Sequence, residues 1–67
     1  MQIILNEKGI DIQVQNSLQA ILEQYNFSSQ KGIAVAVNNA VVPRSEWQAH
    51  LLHENDKILV ITATKGG

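Results

Sequence analysis

The sequence predicts an α+β domain in which a mixed sheet of about five strands packs on one main helix, with a short second helix later in the chain. Two patterns carry this prediction. Short β-rich or alternating segments lie before and after one apolar stripe with helical spacing, and glycine, asparagine and proline separate the segments as turn residues do. The 67 residues fit one domain, and the 45% hydrophobic content indicates a globular chain rather than a disordered one.

Composition excludes several classes of function. The chain has no cysteine, so it has neither a disulfide nor a thiol nucleophile, and its two histidines, His50 and His53, are too few for a structural zinc site. A net charge of −1, from 5 basic and 6 acidic residues without a basic stripe, argues against nucleic acid as a partner. The apolar runs are too short to span a bilayer, and the first residues do not form a secretion signal, so we expect a cytoplasmic protein without a membrane partner.

Residues 2–14 predict an antiparallel hairpin. Residues 2–6 are β-rich and residues 10–14 alternate between apolar and polar, which is typical of a half-buried strand. Residues 7–9 are the expected turn, with Gly9 at positive φ. The side chains predicted to face the core from the second strand are Ile10, Ile12 and Val14.

The main helix is predicted to begin at Asn16. Asn16 is expected to cap the first turn, and Gln19 three residues later to return a bond to the cap. An apolar stripe at helical spacing follows and predicts the buried face, formed by Leu18, Ile21, Leu22 and Tyr25. The polar residues 26–32 then form a loop, with Phe27 tucked under it.

The middle of the chain predicts a second hairpin. The segment from Ile33 to Val37 is apolar at every position, which indicates cover on both faces or one face kept for a partner. Asn38 and Asn39 form the turn, since asparagine tolerates the left-handed region. Residues 41–42 return as a short strand that Pro43 ends.

The final third predicts a helical turn and one more strand. Residues 44–50 form the turn, with Trp47 as a half-buried anchor and Arg44 in a capping or salt-bridge role. Asp56 stabilises the turn before the last strand, which runs from residue 58 to about residue 63.

This order of elements gives the β-grasp arrangement, as in ubiquitin. A right-handed crossover carries the chain to the far side of the sheet, so the last strand must pass between its neighbours, beside the strand at residues 2–6. The expected organisation is a β-grasp domain over residues 1–63 and a flexible di-glycine tail over residues 64–67.

The most specific stretch of the sequence is residues 34–47, AVAVNNAVVPRSEW. Together with the helix around residues 18–22, the Asp56-Lys57-Ile58 entry to the last strand and the final Gly66-Gly67, it resembles the ThiS family, the sulfur carrier proteins of thiamine biosynthesis. The resemblance covers nearly the whole chain. Departures are local: Asn16-Ser17 stands where the family often has Thr, and Asn39 and Asn55 stand where it commonly has Gly.

The resemblance implies a carrier rather than an enzyme. Gly67 would be the site of adenylation and of the thiocarboxylate, Gly66 its required neighbour, and Thr64 and Lys65 the rest of the tail. The implied partners are a ThiF-like adenylating enzyme, which uses ATP and a sulfur donor, and a ThiG-like thiazole synthase. The chain itself is expected to bind no cofactor or metal and to have no catalytic residues of its own.

Docking to such a partner needs a surface, and strand alternation indicates one. If Ile58 and Val60 face the helix, then Leu59 and Ile61 point outward beside Ile4. These three residues form the predicted docking patch; Ala34 and Ala36 would flank it if that set of the apolar strand faces out, which the sequence does not decide. The competing interpretation is scattered surface apolar residues, which are common.

Three other functions stay open on the sequence. The small subunit of molybdopterin synthase shares the fold, the tail and the thiocarboxylate chemistry. A protein-conjugating ubiquitin-like modifier would join Gly67 to lysine in an isopeptide bond. A β-grasp module that binds partners non-covalently would have an inert tail, and in that case Gly66-Gly67 is only a frayed terminus.

Overall fold

The structure, a computed structural model, describes residues 1–13, 15–27 and 32–62. Its elements follow the predicted order. They are β1 (Gln2–Leu5), β2 (Lys8–Asp11), α1 (Leu18–Gln24), β3 (Ile33–Val37), β4 (Ala40–Val41), a 3₁₀ helix (Arg44–Glu46) and β5 (Lys57–Thr62). The helix in this part of the chain is too short and too polar to cross a lipid bilayer.

The five strands form one mixed sheet in the order β2-β1-β5-β3-β4. The last strand lies in the middle, parallel to β1 and antiparallel to β3. The predicted β-grasp fold, with its last strand inserted between its neighbours, is therefore confirmed. This topology matters for function because the central strand is the one that leads toward the tail.

The hairpin turn differs from its prediction. Leu5 pairs with Lys8, so the turn consists of Asn6 and Glu7, which have φ values of 50° and 70°. The predicted turn at residues 7–9 was wrong, and Gly9 lies inside β2 opposite Ile4. Two consecutive positive φ angles in a two-residue loop match the twist of the flanking strands. Asn6 supplies the first of them without the glycine that the sequence pattern favours.

Strand β2 runs over Lys8–Asp11, earlier than the predicted residues 10–14. The predicted facing holds where the structure describes it: Ile12 is buried and Ile10 packs against the core. Val14 lies outside the described residues.

Helix α1 begins one residue later than predicted. Ser17 is the N-cap, and its Oγ accepts a hydrogen bond of 3.1 Å from the Ala20 amide. The predicted cap at Asn16 was therefore wrong; its Oδ1 instead accepts from the Ser17 amide at 3.0 Å. Because the cap moves by one residue, Gln19 is no longer placed to return a bond, and its Nε2 donates to Glu23 Oε2 at 2.9 Å.

The helix ends at Gln24, so Tyr25 leaves the apolar stripe. Tyr25 is the C-cap with φ −103°, and Asn26 follows at φ 65°. The prediction that Tyr25 is buried was wrong because the chain turns before that side chain can reach the core. Phe27 packs against the core as expected, while residues 28–31 of the predicted loop lie outside the described residues.

The second hairpin has its turn at the predicted asparagines, Asn38 at φ 52° and Asn39 at φ 71°. A two-residue turn pairs Val37 with Ala40, so β4 is Ala40–Val41 rather than residues 41–42. Val42 follows the strand as a buried residue, and its amide still donates to Val35 O at 2.9 Å.

The segment after Pro43 is shorter as a helix than predicted. The 3₁₀ helix covers Arg44–Glu46 and turns continue to residue 49. Trp47 is fully buried at 1% exposure, not half-buried, and its Nε1 donates to Val42 O at 2.9 Å. The Arg44 guanidinium lies over the Trp47 ring, 4.6 Å from its centroid, a cation–π contact.

One core lies between the sheet and α1 and includes the described strands' inward side chains. Its buried members are Ile3, Leu5, Ile12, Leu18, Ile21, Leu22, Val35, Val37, Val42, Trp47, Leu52, Ile58 and Val60. Leu52 joins the core because the 47–52 segment bonds the start of α1: Leu18 N donates to His50 O at 2.8 Å, and Leu52 N to Asn16 O at 3.0 Å. His53 lies at the surface beyond this segment.

Candidate functional site

The outer face of the sheet, opposite the core, carries the predicted docking patch. In β5 the buried Ile58 and Val60 alternate with Leu59 and Ile61, which are 47% and 52% exposed. Ile4 of β1 is half-buried on the same face, since its neighbours Ile3 and Leu5 are buried in the core. The structure therefore brings Ile4, Leu59 and Ile61 to one face, as strand alternation requires.

Strand β3 completes this face, and the structure settles its orientation. Val35 and Val37 are buried, so Ala34 and Ala36 point outward. Ala34 pairs with Ile61 and Ala36 with Leu59. Small alanine side chains beside larger ones leave a shallow concavity of about 470 Å³, lined by Ile4, Glu7, Ala36, Asn39, Lys57, Ile58 and Leu59.

Two outward residues of this face were missed from the sequence. Val41 pairs with Ala36 across the hairpin and is 73% exposed, so the apolar surface extends to β4. Lys57 begins β5 opposite Ile4 and adds a positive charge to the concavity, whose lining also includes the acidic Glu7 and the polar Asn39. The two-residue asparagine turn contained the signal for Val41, because that turn fixes the pairing of Ala36 with Val41.

The start of β5 is held by a polar cluster around Asp56. Asp56 Oδ1 accepts from Asn38 Nδ2 at 2.9 Å, and Asp56 Oδ2 accepts from the His53 amide at 2.8 Å. Asn38 Oδ1 in turn accepts from the Lys57 amide at 3.0 Å. Asp56 thus stabilises its turn as predicted, and it also joins that turn to the β3–β4 turn.

The tail residues of the predicted site lie outside the described residues: Thr64, Lys65, Gly66 and Gly67. The last described residue is Thr62, the end of β5, which pairs with Ile33. The outer face and the point from which the chain continues toward the tail are therefore parts of the same central strand.

Comparison with known proteins now decides the family. The ThiS family model matches residues 2–67. The chain belongs to the ThiS family. The predicted resemblance is therefore confirmed over almost the whole sequence, Gly66 and Gly67 included.

The family match agrees with individual relatives. The sulfur carrier protein ThiS of Escherichia coli (strain K12) is 33% identical over 67 residues, which is 100% of both chains. The crystal structure of the thiamine biosynthesis protein ThiS from Geobacter metallireducens superposes with a TM-score of 0.85 at 17% identity and covers 100% of both chains. A solution structure of a thiamine biosynthesis protein from the same organism gives 0.78 at 19% identity, covering 100% of this chain and 88% of that one. At these identities, the two structures support the fold.

The departures from the ThiS pattern have a physical explanation. Asn39 and Asn55, at positions where the family commonly has Gly, have φ values of 71° and 68°. Asparagine is one of the few residues other than glycine that adopts this region at low cost. Ser17 caps α1 where the family often has Thr, and both hydroxyls accept the same backbone bond.

Proposed function

We propose that this ThiS-family chain is a cytoplasmic sulfur carrier of thiamine biosynthesis whose Gly67 carboxylate is adenylated, converted to a thiocarboxylate and used as the sulfur source for the thiazole ring. The observation that carries the proposal is the family match, which extends through Gly67. The similarity to a protein named as a sulfur carrier, over the full length of both chains, supports it.

The chemistry requires a partner enzyme. A carboxylate is a poor electrophile, so an oxygen of Gly67 first attacks the α-phosphate of ATP and pyrophosphate leaves. The outer sulfur of a persulfide donor then attacks the acyl carbon of the adenylate, and AMP leaves to give an acyl disulfide. A thiol of the partner attacks the donor-side sulfur of that disulfide, which releases the thiocarboxylate and leaves a disulfide on the partner side, because this chain has no cysteine. The chain supplies the carboxylate, and the ThiF-like partner supplies ATP binding and catalysis; a ThiG-like thiazole synthase then takes the sulfur.

The tail has the reach that this role needs. Ala63 and the four tail residues, 64–67, follow the last described residue of β5. In extended form they span roughly 17 Å at about 3.3 Å per residue. That length suits a narrow channel entered from the surface of the partner, and glycine at the last two positions passes where a Cβ would not.

The outer face is the proposed docking surface for the adenylating partner. Leu59 and Ile61 are large, exposed and aligned on the strand that continues into the tail. A contiguous apolar surface on a domain of this size suggests a partner site. Docking there would place the tail at the edge of the contact, where it is free to enter the active site.

Adenylation is tested by ATP–pyrophosphate exchange catalysed by the ThiF-like adenylating enzyme of the same host. We expect exchange that depends on the carrier and is lost when Gly67 is deleted, while the deleted variant keeps the circular dichroism and melting curve of the wild-type chain. Exchange that persists without Gly67 would contradict the proposal. Isopeptide adducts on other proteins would instead favour a conjugating modifier.

A further inference from the structure

The backbone N–H and C=O groups of β5 point alternately toward its two neighbours, β1 and β3, from one residue to the next. The amide of Asn6 donates to Ile58 O at 2.9 Å, and the amide of Val60 donates to Asn6 Oδ1 at 2.8 Å. The backbone groups of Ile58 and Val60 therefore point toward β1. Because the direction alternates along a strand, the N–H and C=O of Thr62 point to the same side.

The pairing with β3 leads independently to the same result. Val35 O accepts from the Val42 amide at 2.9 Å, so the backbone groups of Val35 point toward β4 and away from β5. Its pair with Val60 is thus one without mutual hydrogen bonds. Thr62 and Ile33 are two residues further along each strand and pair in the same way.

On the β1 side, however, β1 ends before it reaches Thr62. Its backbone pairing with β5 covers Ile4 and Leu5, and the chain then turns away at Asn6. The Asn6 side chain takes the place of one missing strand residue by accepting from Val60. Beyond it, Val60 C=O and the N–H and C=O of Thr62 have no strand opposite them within residues 1–13, 15–27 and 32–62. We call these three groups the β5 edge.

We propose that the β5 edge accepts a short extended segment of the adenylating partner, which adds to the sheet in line with β1. This proposal rests on the proposed function and names the contact that guides the tail. Only Ala63 separates the β5 edge from the tail at residues 64–67, so the enzyme that takes in Gly67 must come close to Thr62. An open strand edge pairs readily with an extended chain through main-chain hydrogen bonds, independent of the partner's side chains.

The outer face also supports a segment of the adenylating partner as the chain that pairs with the β5 edge. Leu59 and Ile61 lie on the same stretch of β5, with side chains projecting from the sheet beside the edge. A partner segment that pairs with Val60 and Thr62 can therefore also cover these apolar side chains. In this arrangement, the main-chain bonds set the direction of the tail, and the apolar contact supplies most of the affinity.

Amide hydrogen exchange, followed by NMR on the full chain, tests the proposal directly. In the free protein, the Thr62 amide is expected to exchange rapidly, whereas the Val60 amide, bonded to Asn6, and the Ile61 amide, which points toward β3, are protected. On addition of the adenylating enzyme, Thr62 exchange should slow by about fivefold or more, as expected for one added hydrogen bond. Unchanged exchange at Thr62 in a saturated complex would overturn the proposal.

A substitution pair gives a second test. Thr62→Pro removes the amide hydrogen that the partner would bind, and proline is tolerated where a strand N–H faces no neighbour. Thr62→Ala keeps the hydrogen and is the matched control. We expect Thr62→Pro to weaken binding to the adenylating enzyme by about two- to tenfold relative to Thr62→Ala, the range for one neutral hydrogen bond. Equal affinities of the two folded variants would contradict the proposal.

Two other outcomes are decisive. Protection of Thr62 in the free protein that increases with its concentration would identify a second copy of the chain as the occupant and overturn the proposal. If the wild-type chain supports no pyrophosphate exchange, the proposed function fails and this proposal fails with it. If the chain supports ATP–pyrophosphate exchange but the Thr62 amide is not protected in the complex, the edge contact is overturned and the proposed function still stands.

Discussion

At the scale of single residues, Asp56 shows how one carboxylate fixes the entry to the central strand. Both of its oxygens act as acceptors, Oδ1 from Asn38 Nδ2 and Oδ2 from the His53 amide. The residue is almost completely buried, so water cannot replace either bond well. An amide cannot substitute for this carboxylate, because one of its two ends is a donor.

We therefore expect Asp56→Asn to lower the free energy of unfolding by about 1–3 kcal/mol, the cost of setting a buried donor against a donor. Asp11→Asn, at an exposed carboxylate, is the control and should change stability by less than about 0.5 kcal/mol. Urea unfolding followed by circular dichroism measures both values.

The double substitution Asn38→Asp with Asp56→Asn swaps the two side chains and tests whether their hydrogen bonds act together. In the double variant, the carboxylate at position 38 accepts from the backbone N–H of Lys57 and from the side-chain NH₂ at position 56. The side-chain oxygen at position 56 still accepts from the backbone N–H of His53. We expect the double variant to be more stable than Asp56→Asn, with a coupling energy of about 1 kcal/mol or more. Additive losses would show that the bonds around Asp56 do not act as one cluster.

At the scale of elements, both hairpins use two-residue turns with positive φ. Asn38-Asn39 suits this conformation, but the first hairpin has Glu7 at φ 70°, where a residue with a long side chain is strained. Glu7 therefore lowers the stability of its turn, whereas Asn6 supports it by also bonding Val60.

Glu7→Asn is accordingly predicted to raise the free energy of unfolding by up to about 1 kcal/mol, because asparagine adopts the left-handed region at lower cost. Lys8→Asn places the same residue in β2, where asparagine is unfavourable, and should not stabilise. Thermal unfolding of the three proteins compares them. A Glu7→Asn variant no more stable than Lys8→Asn would show that the turn is not strained at Glu7.

The sequence allows the existence and order of these elements to be predicted, but not their boundaries. Gly9 favours a turn by composition, yet the pairing of Leu5 with Lys8 determines that the turn lies at Asn6-Glu7. Asn16 and Ser17 are both good caps, and only the bond to Ala20 distinguishes them. Tyr25 fits the helical stripe, but the stripe cannot show that the helix ends at Gln24. Each difference depends on pairing or termination that adjacent residues do not encode.

At the scale of the whole molecule, β5 connects the outer face to the tail. It lies at the centre of the sheet, presents Leu59 and Ile61 outward and ends at Thr62. Strand alternation was sufficient to predict these side chains and Ile4. The orientation of Ala34 and Ala36 was not predictable, because a strand that is apolar at every position has no alternation to interpret.

The docking role of this face is tested by placing a charge in it. Leu59→Glu should weaken binding to the adenylating enzyme by about tenfold or more, since a carboxylate would lose its hydration in an apolar contact. Leu51→Glu is a matched control, because Leu51 is 50% exposed and Leu59 47%, and Leu51 lies outside the sheet. Calorimetric titration measures both affinities. Equal weakening by the two variants, or none by Leu59→Glu, would place the docking surface elsewhere.

The division of the chain into a domain over residues 1–63 and a tail over residues 64–67 stays a prediction, as does the chemistry at Gly67. Both depend on what the tail does inside a partner enzyme, which the folded domain does not determine. The family match gives this prediction its strongest support.

The most direct measurement is the intact mass of the full chain after incubation with ATP, a sulfur source and the adenylating enzyme of its host. The proposed function predicts a mass gain equal to one oxygen replaced by sulfur, which is absent without ATP and absent when Gly67 is deleted. An unchanged mass, with an enzyme shown to be active on another carrier, would contradict the sulfur-carrier function.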